Sequence, residues 1–282
     1  METWLRVIDG TTPLVLDSPH SGTAYPDDFG HACDMGELRQ AEDTHVEKLY
    51  DFAPGMGIAW IEALFPRSYL DANRGVTEID PEMFEDGWAG EVVTEPKARA
   101  KVRLGKGLIW RVTDNGVTIY SRKLRGAEIE SRIARYWVPY HAAVRSAIEA
   151  AHARHGYSIH LNCHSMPAVS APYSTDFPGL VHADFVIGDR DGTTASPALS
   201  RKVCDHLQGL GHSVSYNHPY KGVELVRRYG NPARDRHSIQ VEINRKLYMD
   251  EATLELTPAC GRLKAHLQSL LEMLLQTDPR RL

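Results

Sequence analysis

Six apolar runs recur along the chain, over 13–16, 58–61, 157–163, 184–187, 213–216 and 238–243, each short and most of them rich in β-branched residues. Runs of this length bounded by turn residues predict buried strands. Between them the apolar positions fall into a 3.6-residue rhythm over 37–52, 124–155, 196–210 and 258–275, the second interrupted at Pro139. In the last of these, Leu263, His266, Leu267, Leu270 and Leu274 share one face, as on a helix laid against a sheet. Strands alternating with helices predict the α/β class, here a three-layer α/β/α arrangement with a mixed, mostly parallel sheet. No linker-like composition divides the 282 residues, so a single domain over 1–282 is expected. The stretch 75–116 carries glycine, proline and charge with little periodicity and reads as a functional loop or lid.

A chain of this length can bury about 75% of its unfolded surface. Its formal net charge of −5, from 37 acidic and 32 basic residues, leaves no excess of cations for phosphate binding, so nucleic acid is not expected as a partner. An anionic small molecule would have to be met by a few placed cations. No run approaches the roughly 20 apolar residues that span a bilayer, and Met1-Glu2-Thr3-Trp4 opens no secretory signal pattern. The four cysteines (Cys33, Cys163, Cys204 and Cys260) lie far apart with no C-x-x-C spacing, which suits a reducing compartment. A soluble, cytoplasmic protein is expected, and the pattern leaves its oligomeric state open.

Open α/β sheets place ligands just past the carboxyl ends of their strands, so the residues that follow each apolar run carry the chemical interest. His20 follows the first run in Val15-Leu16-Asp17-Ser18-Pro19-His20-Ser21-Gly22; His164 and Ser165 follow Cys163; Glu242, Asn244 and Arg245 close the last run; Asp71, Asn73 and Arg74 follow Tyr69-Leu70. His160 and His164 have the i,i+4 spacing of a helical metal motif, but on a strand four residues span roughly 13 Å, so only His164 reaches the rim. In the segment that begins Ala41-Glu42-Asp43-Thr44-His45, both Glu42 and Asp43 lie at the edge of an apolar stripe, and the pattern does not choose between them; Asp43 also suits a helix N-cap. Two histidines and a carboxylate are what a catalytic zinc ion takes, leaving one position for water, and Glu242 is the best-placed base for that water. Cys163 beside His164 suggests a thiol mechanism instead, but neighbouring residues of a strand face opposite ways.

Seven motifs, "LDSPHSG", "EDTHVEKLYDFA", "LDANRG", "CHSM", "FVIGDRDGTTASPAL", "NHPYKGVELVRRYG" and "HSIQVEINRKLYMDE", occur in an order and spacing that resemble the N-formylglutamate amidohydrolase family, over about 13–251. The resemblance implies a phosphorylase/hydrolase-like α/β fold related to zinc carboxypeptidases. It also implies zinc-dependent hydrolysis of N-formyl-L-glutamate to formate and glutamate in histidine degradation. Carried over position by position, it implies His20, Asp43 and His164 as ligands of one Zn²⁺, which breaks the tie with Glu42, and Glu242 as the base. Asn73 and Arg74 then fall where a substrate carboxylate is held. A substrate with two carboxylates asks for a second cationic clamp, and arginine forks suit both; Arg227 matches the family best, Arg67 comes next, and Lys221 and Arg228 are further options.

Overall fold

A computed structural model of the chain describes residues 3–171 and 177–282. Two compact units are formed, one from Met1–Arg6, Pro19–Glu42 and Ala63–Ala142, the other from Val7–Ser18, Asp43–Glu62 and Ala143–Leu282. The strands are β1 (Leu5–Ile8), β2 (Leu14–Ser18), β3 (Ala59–Ala63), β4 (Ser158–Met166), β5 (Phe185–Gly188), β6 (Val214–Tyr216) and β7 (Arg236–Asn244). They form one seven-stranded sheet in the order β1-β3-β2-β4-β7-β5-β6. β2 is parallel to both β3 and β4, and β4 is parallel to β7; β5 runs antiparallel to β7 and parallel to β6. The sheet is therefore mixed and mostly parallel, as the alternation of runs predicted. All six predicted strands are present, and β1 is an addition: its burial pattern is only partial at both ends, so no buried apolar run announced it.

Period-two alternation gives the sheet two unlike faces. Leu14 and Leu16 of β2, Ile159, Leu161 and Cys163 of β4, and Ile239, Val241 and Ile243 of β7 join one apolar cluster. Against them pack α2 (Val46–Leu49), α6 (Pro197–Gly209) and α8 (Cys260–Leu275), through Val46 and Leu49, through Leu199, Val203 and Leu207, and through Leu263, Leu267, Leu270 and Leu274. The intervening positions Asp17, His160, Asn162, His164, Ser238, Gln240 and Glu242 are polar and yet buried. On this side α7 (Glu224–Tyr229) sets the Tyr229 ring edge-on to His160. A buried polar face must be closed by its own hydrogen bonds, and it is here that the site's side chains stand.

Two helical expectations are revised. The rhythm over 37–52 does not make one helix: α1 (Met35–Arg39) ends early, a turn follows, and α2 begins only at Val46. His45 holds the break open with φ 67°, a left-handed conformation that no helix interior accepts. The rhythm over 124–155 becomes α4 (Gly126–Arg132), a π-helical turn at Ile133–Trp137, and α5 (Val138–His155). Pro139 thus stands inside a continuous helical run, just past the π-helical turn, and the run is not interrupted there as the sequence suggested. Within 75–116 the chain forms α3 (Pro96–Arg103), and isolated bridges pair Lys106 with Trp110 and Val112 with Thr118.

One buried carboxylate ties the sheet's far end together. Asp189, fully buried after β5, accepts hydrogen bonds from Ser200 Oγ (2.7 Å), Tyr216 Oη (2.6 Å), Asn217 Nδ2 (2.8 Å) and Gly192 N–H (2.9 Å). Burial alone would raise its pKa; the bonds from Tyr216, Ser200, Asn217 and Gly192 outweigh that and hold the carboxyl below the usual range. A carboxyl more acidic in the folded state stabilises fully above its unfolded pKa of about 3.9 and progressively less as the pH falls through the folded value. Asp189→Ala should cost about 3 kcal/mol in urea unfolding at pH 7, because it strands several donors. It should also flatten the loss of stability below about pH 4 that is expected of the parent chain.

Candidate active site

The first histidine sits on a turn that only glycine can complete. After β2, Pro19 and His20 lead to Gly22, where an added Cβ would lie 2.4 Å from both the Leu64 carbonyl carbon and the Phe65 oxygen. Gly22→Ala should therefore cost about 1–3 kcal/mol through backbone displacement, read as a lower unfolding midpoint, and should lower metal uptake by moving His20. His20 is buried, and its Nε2 is 2.7 Å from Asp71 Oδ1. Asp71 is fully buried and also accepts from the Asn73 N–H (2.9 Å), Arg67 Nη2 (3.1 Å) and the Trp110 indole (3.3 Å). Burial would raise the Asp71 pKa, but the His20 imidazole and the Arg67 guanidinium, with Arg74 beyond them, hold it well below the usual carboxylate range. An ionised carboxylate only accepts, so His20 Nε2 carries the proton and its lone pair is on Nδ1.

Around the same carboxylate stand two of the expected clamps. Arg67 bonds Asp71 and lies 4.9 Å from the Trp110 ring centroid; Arg74 Nη1 is 3.3 Å from Glu78, whose other oxygen caps the Gly75 N–H at 2.9 Å. Asn73 is buried beside them.

The ends of β4 and β7 and the turn before α2 carry the second histidine, the expected base and a carboxylate. Register pairs His164 of β4 with Glu242 of β7, and strands so paired run about 4.8 Å apart with partner side chains on one face. Glu242 is 8% exposed and accepts from Gln240 Nε2 at 2.8 Å. His164 Nδ1 lies 2.8 Å from Asp43 Oδ2, while its Nε2 lies 2.7 Å from Asn162 Oδ1. Asp43 owes its position to the break before α2. Arg245 steadies it, with Nη2 3.6 Å from Asp43 Oδ1 and Nε 3.2 Å from Ser165 Oγ. Glu42, the rival to Asp43, is engaged by Tyr25 Oη (2.7 Å) and Arg39 (3.5 Å).

His20, Asp43 and His164 each offer one ligand atom, and these three atoms lie within 4.8 Å of one another. The donor set fits a divalent cation of the zinc type: two imidazoles and a carboxylate, with each imidazole's outer nitrogen already engaged.

The remaining candidates have other partners. Arg227 and Arg228 both bond the buried Glu224, the latter at 2.6 Å, and the Arg227 side chain stays half exposed. Lys221 pairs with Asp191 at 2.7 Å on the surface, while its carbonyl passes close to Gly188. His160 bonds Asp17 and Ser238. Cys163 is on the apolar face, and burial pushes its thiol well above the usual range, which removes the thiolate that a cysteine mechanism needs. The sequence reading gave no role to Asp71, although an Asp two residues before Asn73 at a strand-like end is a signal for a side chain that bonds its own turn. It also missed Lys106, whose Nζ lies 3.6 Å from the Trp110 centroid and whose pKa burial lowers to about 8 against the pull of Asp114.

A model of the N-formylglutamate amidohydrolase family matches residues 12–249. The chain is 27% identical over 258 residues to an N-formylglutamate deformylase of Pseudomonas putida, covering 89% of this chain and 87% of that one. It is 28% identical over 261 residues to the enzyme of the same name in Pseudomonas aeruginosa, with the same coverage. A solved N-formylglutamate amidohydrolase from Ralstonia eutropha JMP134 superposes with a TM-score of 0.91 at 42% identity, covering 99% of each chain.

Proposed function

The chain belongs to the N-formylglutamate amidohydrolase family and is an amidohydrolase, and from that premise we propose that it hydrolyses N-formyl-L-glutamate to formate and L-glutamate with one bound Zn²⁺. The convergence of His20, Asp43 and His164, with Glu242 in register beside His164, is the observation that carries this reading. When bound, the ion supplies a Lewis acid for the formyl oxygen and lowers the pKa of a water towards about 7. Glu242 would take a proton from the water that attacks the formyl carbon and return it to the departing amide nitrogen. Asp71 holds His20 in the tautomer whose proton points outward and whose lone pair is turned toward the ion. Arg74 and Asn73 hold one substrate carboxylate, and Arg227 or Arg67 the other. Arg67 has the support of position, since it stands with Arg74 around Asp71; Arg227 has the support of the family motif.

A reducing cytoplasm suits the four free thiols, and among the described residues no helix is long and apolar enough to cross a membrane. We read the reaction as the closing step of a histidine-degradation route, as the family resemblance implies.

The test is formate release from N-formylglutamate, with metal analysis of the same sample. Activity should vanish on chelation and return with Zn²⁺, and N-formylglutamate should be preferred at least about 100-fold over N-formylalanine, since losing a buried charged contact costs about 3 kcal/mol or more. Formate release that survives complete removal of metal would overturn the reading.

A further inference from the structure

The polar face of the sheet contains more than the ligands. Asp17 of β2, fully buried, pairs in register with Asn162 of β4. Its Oδ1 accepts from His160 Nε2 at 2.8 Å and from Asn162 Nδ2 at 2.9 Å, and His160 Nδ1 continues to Ser238 Oγ at 2.7 Å. Asn162 and His164 are two residues apart on one strand and share a face. Asn162 Oδ1 is 2.7 Å from His164 Nε2, and His164 Nδ1 is 2.8 Å from Asp43.

The chemistry of these contacts allows one orientation of the Asn162 amide. A carboxylate accepts and an amide has one accepting and one donating end. Were the Asn162 amide reversed, its oxygen would face the Asp17 oxygen at a bonding distance with no hydrogen between them. Asp17 therefore turns the amide oxygen toward His164, and an oxygen can only receive a proton from Nε2. Nδ1 faces the Asp43 carboxylate at 2.8 Å, the side on which the ion would be held; with Nε2–H given to Asn162, the lone pair left for that ion would be on Nδ1. His20 obtains the same result by direct contact with Asp71; His164 obtains it through an intermediary.

We propose that Asn162 is a positioning residue: held by Asp17, its amide fixes His164 in the tautomer that presents Nδ1 to the metal ion. The inference rests on the metal centre proposed above.

Three variants and one spectrum test it. Asn162→Leu removes both ends of the amide at similar size. Asp17→Asn keeps shape but lets the amide reverse. Ser238→Ala cuts the far end of the same buried network without touching the amide. Zinc affinity is measured by competition with a chromophoric chelator, and the His164 ring nitrogens are read by ¹⁵N NMR of zinc-loaded, labelled parent protein. The first two variants should bind Zn²⁺ about 10–100-fold more weakly and Ser238→Ala within about threefold of the parent, the range expected when an outer partner of a ligand is lost. The spectrum should show a directly bonded proton on His164 Nε2. Parent-like affinity in both Asn162→Leu and Asp17→Asn would overturn the proposal. So would a parent spectrum with the proton on Nδ1, which needs no variant to fold. If the parent itself takes up no Zn²⁺, the metal centre falls, and this inference with it; zinc bound equally by all variants defeats only the inference.

Discussion

Glu242→Gln should retain metal and lose turnover by about 10²–10⁴-fold, the range for removing a positioned general base. Glutamine keeps the size of the side chain and can still meet Gln240 across 2.8 Å, so the strand pairing with His164 has no reason to change. What disappears is the ability to take a proton from water. Metal analysis of the variant and its kcat for formate release separate the two effects. A kcat near the parent's would remove Glu242 from the chemistry, whereas lost metal would make it a ligand.

Asp43→Ala should lose metal, and Glu42→Ala should keep it. A bound zinc ion is worth roughly 10–16 kcal/mol, so one ligand among four carries about 3–4 kcal/mol, or about 10²–10³-fold in affinity. The same truncation one residue earlier removes only bonds to Tyr25 and Arg39. Competition with a chelator measures both. Equal retention in the two variants would dismiss Asp43, and the opposite ranking would move the ligand to Glu42.

This pair marks where sequence pattern stops. Period-two alternation carries the strands and the two faces of β4 and β7, because a buried sheet enforces it at every position. That is why His164 and Glu242 could be placed at strand ends from the residues alone. Helical periodicity over 37–52 could not show that the chain breaks at His45, because the break is a backbone event at φ 67° that leaves the apolar spacing intact. Choosing between Glu42 and Asp43 therefore needed the family's motif, and the turn supplies the physical reason. Asp71 was hidden for a different cause. Its partners, His20 at 51 residues' distance and Trp110 at 39, are brought to it by tertiary folding, and no local rhythm records such a meeting. The proposed clamp arginines are legible only as a class: the composition asks for few, placed cations, but it does not show that Arg67, Arg74 and Arg227 pair with Asp71, Glu78 and Glu224.

The two unlike faces of the central strands assign substitutions to different fates by parity. Along β4 and β7 the odd-numbered side chains Ile159, Leu161, Cys163, Ile239, Val241 and Ile243 answer to packing, while the even-numbered ones between them answer to hydrogen bonding. A change in the odd register is therefore felt as a cavity or a clash, whereas a change in the even register strands a buried hydrogen-bonding partner, so that this face can be altered only in matched pairs.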